Sequence, residues 1–385
     1  MNHVWSDLFF AMMIPLLPLI KEDPELGISF TEAGLLRSAH SGASAVFQVP
    51  FGFLAEQVGE FWLILGGNLW VAGSMFAVGV ASTFPWILGA TLVGGLGGGT
   101  QHPLASSMVS RAYETGARST AVGAVNFAGD LGKMAAPAIA WLVAIPFGWR
   151  ATFKVVGISA IGLVLLSAFT RTGVKTGAVK RPGGSDSEAE GPVKVAGFVN
   201  LSVVGFLDSA ARGAALTFLP FLMRDKGMST EQVFGLLFLL LAGGAIGKLA
   251  LGWLDERYGP VALIWLTKGI TVILLIAAIP TPNILLPPLV LALGIGLNGT
   301  SSVLYANVAN FVPPGRRARL YGSFYTTNEV GSAIAPALYG VLADLLNVKA
   351  TIAVMGGITA LILPVSLTLL PHLRDAATTA PGKAP

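Results

Sequence analysis

Of 385 residues, 54% are hydrophobic and only 11% are charged, with a mean hydropathy of +0.72; a soluble domain carries about 25% charged residues, so this surface is not built for water. The net charge of +4 does not point to nucleic acid, because the basic residues are scattered at helix ends rather than gathered on one face. There is no cysteine, which excludes disulfides and thiolate metal sites, and the four histidines form no metal-binding pattern, so neither metal nor cofactor is expected.

A membrane-spanning helix needs roughly 20 apolar residues. The first apolar run, 2–20, begins almost at Met1, has no basic segment before it and contains Asp7, so it reads as a first transmembrane helix rather than a cleaved signal. Runs at 32–55, 61–82, 85–110, 118–145 and 151–170 follow. The polar stretch 171–194, rich in Gly, Ser and charge, reads as a flexible linker. Apolar runs resume at 196–223, 230–254, 260–280, 284–311, 319–345 and 350–370. The expected fold is an all-α membrane protein of twelve transmembrane helices: an N-terminal half at 1–170, a cytoplasmic linker at 171–194, a C-terminal half at 195–373 and a cytoplasmic tail at 374–385. Many of the 48 glycines sit inside the apolar runs, where small residues let helices approach closely.

Basic residues set the orientation. With the N-terminus cytoplasmic, the inside set holds Arg111, Arg118, Arg171, Lys175, Lys180, Arg181, Lys194, Arg257, Arg316, Arg317, Arg319, Arg374 and Lys383. The outside set is less than half that size: Lys21, Arg150, Lys154, Arg224, Lys226 and Lys349. Both termini are therefore expected inside a cytoplasmic (inner) membrane, which requires an even number of spans.

The halves repeat one another. Gly52-x-x-x-Glu56-Gln57-x-Gly59 recurs 200 residues later as Gly252-x-x-x-Glu256-Arg257-x-Gly259, and Gly99-Thr100 recurs as Gly299-Thr300. Asp130-x-Gly132-x-x-x-Ala136-Pro137 matches Glu329-x-Gly331-x-x-x-Ala335-Pro336, while Leu17-Pro18 pairs with Leu219-Pro220 and Thr31-Glu32 with Thr230-Glu231. Two six-helix units in parallel orientation are a known transporter architecture.

On these residues the chain resembles the major facilitator superfamily. The acidic loops at Glu56 and Glu256 resemble its gating-loop signature, although Gln57 and Glu60 stand where basic residues are usual. Gly148-Trp149-Arg150-Ala151-Thr152-Phe153 resembles its turn into the sixth helix. His3-x-x-x-Asp7 with Pro18, and His102-Pro103 with Ser106-Ser107, resemble the fosmidomycin-resistance branch. The resemblance implies alternating access, proton-linked movement of small molecules, drug export in that branch, and a cavity role for His102. The branch carries an uncharged Gly-Asn-type sequence where this chain has Asp130 and Lys133, which implies a different substrate.

A charge at the centre of a spanning helix costs about 2.5–3.5 kcal/mol on insertion scales. Nine lie well inside the runs: Asp7, Arg37, Asp130, Lys133, Asp208, Arg212, Lys248, Lys268 and Glu329. Asp130 and Lys133, three apart, read either as a pair that fixes packing or as a proton carrier beside a cation. Glu329, its repeat mate, has no charge within a turn on its own helix, which suits proton exchange. Asp208 and Arg212, four apart, read equally as a structural pair or a clamp for an anionic ligand. Asp7 is the expected repeat mate of Asp208 and a further proton-coupling candidate; with only six helical residues before it, either the first helix is short or the true start lies upstream. Lys248, Lys268 and Arg37 lie near enough to helix ends to snorkel to headgroups, with ion-pair or ligand contacts as the alternative. His40 reads as a packing residue.

The expected function is a secondary active transporter, not an enzyme. It would move a small anion or drug-like compound by alternating access with protons, as a monomeric unit in the bilayer, with export favoured. Proton-coupled uptake of an organic acid or sugar is the alternative. A membrane-embedded enzyme would need a catalytic dyad or metal cluster, and a receptor a sizeable cytoplasmic domain; neither stands out.

Overall fold

A computed structural model of the chain describes residues 2–101, 104, 118–169, 193–313 and 317–378. Helix follows helix: α1 (Asn2–Lys21), α2 (Phe30–Val58), α3 (Glu60–Val80) and α4 (Phe84–Gly98). The run Arg118–Phe169 comprises α5 and α6, parted at Gly148, where φ is 81° and a side chain would be strained. Then come α7 (Val195–Asp225), α8 (Thr230–Tyr258), α9 (Pro260–Ala278), α10 (Leu286–Asn307), α11 (Arg317–Leu345) and α12 (Val348–Ala360). After single-residue breaks at Leu361 and Thr368 follow α13 (Ile362–Leu367) and α14 (Leu369–Thr378). Pro364 and Pro371, three residues past each break, lack the N–H that would continue the ladder. Among the described residues there is no strand.

The repeat is visible in local chemistry. Ser29 and Ser229 each cap a helix, accepting from the backbone N–H of Glu32 and Gln232, whose side chains bond back to the serine N–H. This pairs Glu32 with Gln232 at an offset of 200, one residue from the Thr31-Glu32 and Thr230-Glu231 match read in the sequence. Gly27 and Gly227 precede the caps with φ of 58° and 77°. Gly59 and Gly259 end α2 and α8 with φ of 89° and 75°, so both gating-loop glycines answer a backbone need.

Among the described residues seven stretches are long and apolar enough to cross a membrane by length and composition: α1, the α5–α6 run, α3, α8, α9, α10 and the α12–α13 run. The long helices that fall short, α2, α7 and α11, carry Arg37, Asp208, Arg212 and Glu329 and pack against one another or across the halves. Helices that face protein instead of lipid tolerate polar residues. Trp86, Leu142, Phe147, Leu249 and Ile273 are exposed, as a lipid-facing surface requires.

The main apolar core is shared by the halves, with Leu8, Met12 and Leu16 of α1 in one cluster with Leu219 and Leu222 of α7. The end of the bundle away from Phe169 and Val193 is tied twice across the halves. Asp344 accepts from the N–H of Phe30 at 2.9 Å and from the N–H and Oγ1 of Thr31 at 2.8 and 2.6 Å. Arg224 donates through Nε and Nη2 to the two oxygens of Glu22 at 2.6 and 2.8 Å. A Cβ on Gly34 or Gly340 would run into the backbone of Pro336 or Phe30, so α2 and α11 approach there because these positions lack side chains.

Candidate functional site

Close approach of α1, α5 and α8 brings four of the sequence candidates into a ladder of alternating charge. Lys133 Nζ lies 3.0 Å from Asp7 and 3.3 Å from Asp130, and Lys248 Nζ reaches both oxygens of Asp130 at 2.6 and 2.9 Å. The last rung crosses from the N-terminal half to the C-terminal half. Asp7 therefore pairs through Lys133, while its expected repeat mate Asp208 pairs with different partners.

Asp208 of α7, 1% exposed, is shared by two cations. Lys268 of α9, itself fully buried, lies 2.5 Å from Oδ1, and Arg212 Nη1 lies 3.3 Å from Oδ2. Arg212 Nη2 also donates to Ser209 Oγ at 2.8 Å. Of the two readings for Lys248 and Lys268, the ion pair holds over snorkelling: each stem ends on a buried carboxylate, Asp130 and Asp208. Arg37 does not snorkel either; it is 3% exposed and donates to the carbonyl of Phe10 at 3.0 Å.

Glu329 of α11 has a buried Oε2 without a hydrogen-bond partner. Its charge and that of Arg212 both act on Arg37, so α2, α7 and α11 converge on one polar centre between the halves. Tyr305 of α10 feels Arg212, Asp208 and Glu329, stacks on Tyr325 at 4.5 Å and meets Phe324 edge-on at 5.6 Å. Sequence reasoning passed over Tyr305; a hydroxyl-bearing ring that follows Asn298, Thr300, Ser301 and Ser302 in one span was the available signal.

His102 lies outside the described residues. Gly52 and Glu56 fall in the last turns of α2, and Gly252 and Glu256 in those of α8, ahead of the two glycine turns. Arg257 sits over the Tyr258 ring at 5.5 Å, and neighbouring Asp255 accepts from Asn307 Nδ2 at 2.8 Å, joining the second loop to α10. No group of acids and histidines fit for a metal occurs among the described residues.

A chain of these helices with a balanced ladder and a surplus cation can bind an anion, hold a proton and change inter-half contacts. Known proteins place the chain in a family. Residues 3–291 and 201–384 match the family model described as Major Facilitator Superfamily. The gentisate transporter of Corynebacterium glutamicum is 27% identical over 91% of this chain and 81% of its own length. An MFS-type efflux pump of Mycolicibacterium smegmatis is 28% identical over 86% and 81%. The fosmidomycin resistance protein of Escherichia coli is 21% identical over 89% and 85%. Among solved structures, a bacterial homologue of the human lysosomal transporter Spinster, inward-facing and unoccupied, superposes with a TM-score of 0.79 at 18% identity, covering 99% of this chain and 97% of that one. The chain is a multi-pass integral membrane transporter of small molecules, not an enzyme, and it belongs to the major facilitator superfamily.

Proposed function

We propose that the chain moves a small carboxylate anion, aromatic acids foremost, by alternating access coupled to protons. The observation that carries this reading is the charge count around Asp208. One carboxylate there serves two cations, and of these Arg212 is the accessible one, 18% exposed against 0% for Lys268. A guanidinium with donors to spare binds a carboxylate in two-pronged fashion. Tyr305 and its stacked partner Tyr325 offer a ring face beside it, and gentisate, in the name of one relative, is an aromatic carboxylate. Glu329 is the proton carrier in this reading, since its unpartnered oxygen can take a proton without breaking a bond; Asp130 and Asp7 instead serve the ladder. His102 is retained as a cavity residue on the branch resemblance alone.

The halves 1–170 and 195–373 move as units about the 171–194 linker, with both termini on the cytoplasmic face of the inner membrane and the monomer as functional unit. The basic-residue bias supports that orientation. Export is the direction carried by the fosmidomycin-branch motifs and the efflux-pump relative. Uptake of an organic acid is the second reading, favoured by the surplus cation, which draws an anion and a protonated Glu329 into one centre.

Proteoliposomes with an imposed pH gradient test both. Benzoate-type acids should move protons and neutral or cationic ring compounds should not; the sign of proton flow relative to the acid separates export from uptake. Glu329→Gln should still exchange labelled acid across the bilayer yet lose gradient-driven accumulation. Accumulation with wild-type pH dependence in that variant removes Glu329 from the coupling.

A further inference from the structure

The repeat fails along one seam between the halves, where α2 meets α11 at the end that is outermost in the orientation proposed above. Asp344 takes the Phe30 and Thr31 N–H groups, the two first-turn donors of α2 that the Ser29–Glu32 box leaves over, and the Thr31 hydroxyl besides. One turn back along α11, Gly340 lies against the Phe30 carbonyl, and Gly34 of α2 lies against that of Pro336. Ser38 Oγ then accepts from the Ala337 N–H at 3.0 Å. By the repeat offsets of 199 and 200, the places of Asp344, Gly340, Gly34 and Ser38 are held in α5 and α8 by Ile145, Trp141, Phe234 and Phe238. The Ser229 box of α8 therefore has no carboxylate from the other half to take its first-turn donors, and large side chains replace both glycines. Ile145, Trp141 and Phe238 are exposed.

A carboxylate at a helix N-terminus makes charge-assisted hydrogen bonds and meets the positive end of the helix dipole. Asp344 is exposed, so water takes up its oxygens and the α2 donors once they part. Breaking this tie costs far less than breaking the buried Lys268–Asp208 pair. A tie that joins the halves, gives way to water and occupies one seam only suits a gate better than a permanent brace. We propose that Asp344 is the latch of the outer gate. Outward opening, in the alternating access proposed above, requires it to leave the α2 N-terminus, while the α5–α8 seam has no counterpart to break.

The chain lacks cysteine, so spin labels can be placed at chosen sites on the full-length protein. Exposed Glu25→Cys with Leu345→Cys spans the α2–α11 side, and exposed Phe147→Cys with Glu231→Cys spans the α5–α8 side. Label distances are measured without substrate or pH gradient, so a wrong substrate or proton carrier leaves the result untouched. Asp344→Ala should raise the ratio of wide to narrow distances about tenfold at both pairs, the low end of what a hydrogen bond to a charged group contributes. Thr31→Val keeps the backbone donors and loses the hydroxyl, so it should shift both ratios the same way by about threefold; it still decides if Asp344→Ala fails to fold. Ile145→Ala should leave both unchanged. Unaltered distances at the α2–α11 pair in both latch variants, widening confined to the α5–α8 pair, or an equal shift in Ile145→Ala would each overturn the latch.

Discussion

The two halves repeat one another in caps, turns and helix order, yet they spend charge differently. The ladder at Asp7, Lys133, Asp130 and Lys248 is balanced, two acids to two cations, and all four sit within 3.3 Å of a partner. The assembly at Asp208 has one acid and two cations. A balanced ladder that crosses the halves suits holding them together; an unbalanced one suits capture of an anion. Sequence repetition therefore preserves the frame, while the proposed anion site lies where the charge pattern of the halves differs.

The sharpest way to break this comparison is to remove the shared acid. Asp208→Asn leaves fully buried Lys268 and Arg212 without a counter-charge, and loss of one partner of a buried pair costs about 3–5 kcal/mol. Thermal unfolding in detergent should show it as a fall in melting temperature, partly restored by adding Lys268→Met. A variant as stable as the wild type would mean that water, not Asp208, compensates Lys268. Asp130→Asn should cost less, about 2–3 kcal/mol, because Lys133 keeps Asp7 and both lysines retain some access to water, 24% and 29% exposed. If Asp130→Asn proves the more damaging of the two, the ladder and not the triad carries the stability.

These contrasts mark where the sequence stopped being legible. Spans, linker and repeat follow from hydropathy and spacing, because each is a property of contiguous residues. The partnership of Asp130 with Lys133 is legible for the same reason. Lys248 and Lys268 are not, since their partners lie 118 and 60 positions away, and only helix packing selects an ion pair over the headgroups. Tyr305 joins the polar centre through α7 and α11, which no periodicity within α10 reveals. The orphaned oxygen of Glu329 is still further from reach, because a missing partner is a property of three dimensions.

A third substitution sharpens the functional side of the comparison. Arg212→Lys keeps the charge but loses the planar fork, so half-saturation for an aromatic acid should rise about tenfold, equivalent to about 1.4 kcal/mol. Fold and charge balance are unchanged, so stability should move little. An unchanged half-saturation would reduce Arg212 to a neutraliser of Asp208, and a double neutral variant at both positions would then transport better than either single one.

The smallest effect concerns a pair of repeat-related bridges outside the spans. Asp23 holds the end of α1 to the start of α6: it accepts from Trp149 Nε1 at 2.9 Å, from the Glu25 N–H at 3.0 Å and from the Arg150 guanidinium. Asp225 and Lys349, at 3.0 Å, occupy the same place in the C-terminal half but are 46% and 52% exposed. Burial pushes the Asp23 carboxyl up, yet the Trp149 and Arg150 donors outweigh it and hold the group below its ordinary 3.8. A depressed folded-state value means the unfolded chain takes the proton first, so the stabilisation is present above about pH 4 and is lost as pH falls through the folded value. Asp23→Asn should then cost about 1.5 kcal/mol at pH 7, the low end for hydrogen bonds to a charged group because the amide oxygen can still accept, and the gap from wild type should close on acidification. Lys349→Ala should fall within about 0.5 kcal/mol at any pH, since an exposed pair is screened by water. Melting temperatures of both variants between pH 7 and 3 check the contrast. A gap at Asp23 that does not narrow with acid would show that shape at Trp149, and not the carboxylate charge, ties α1 to α6.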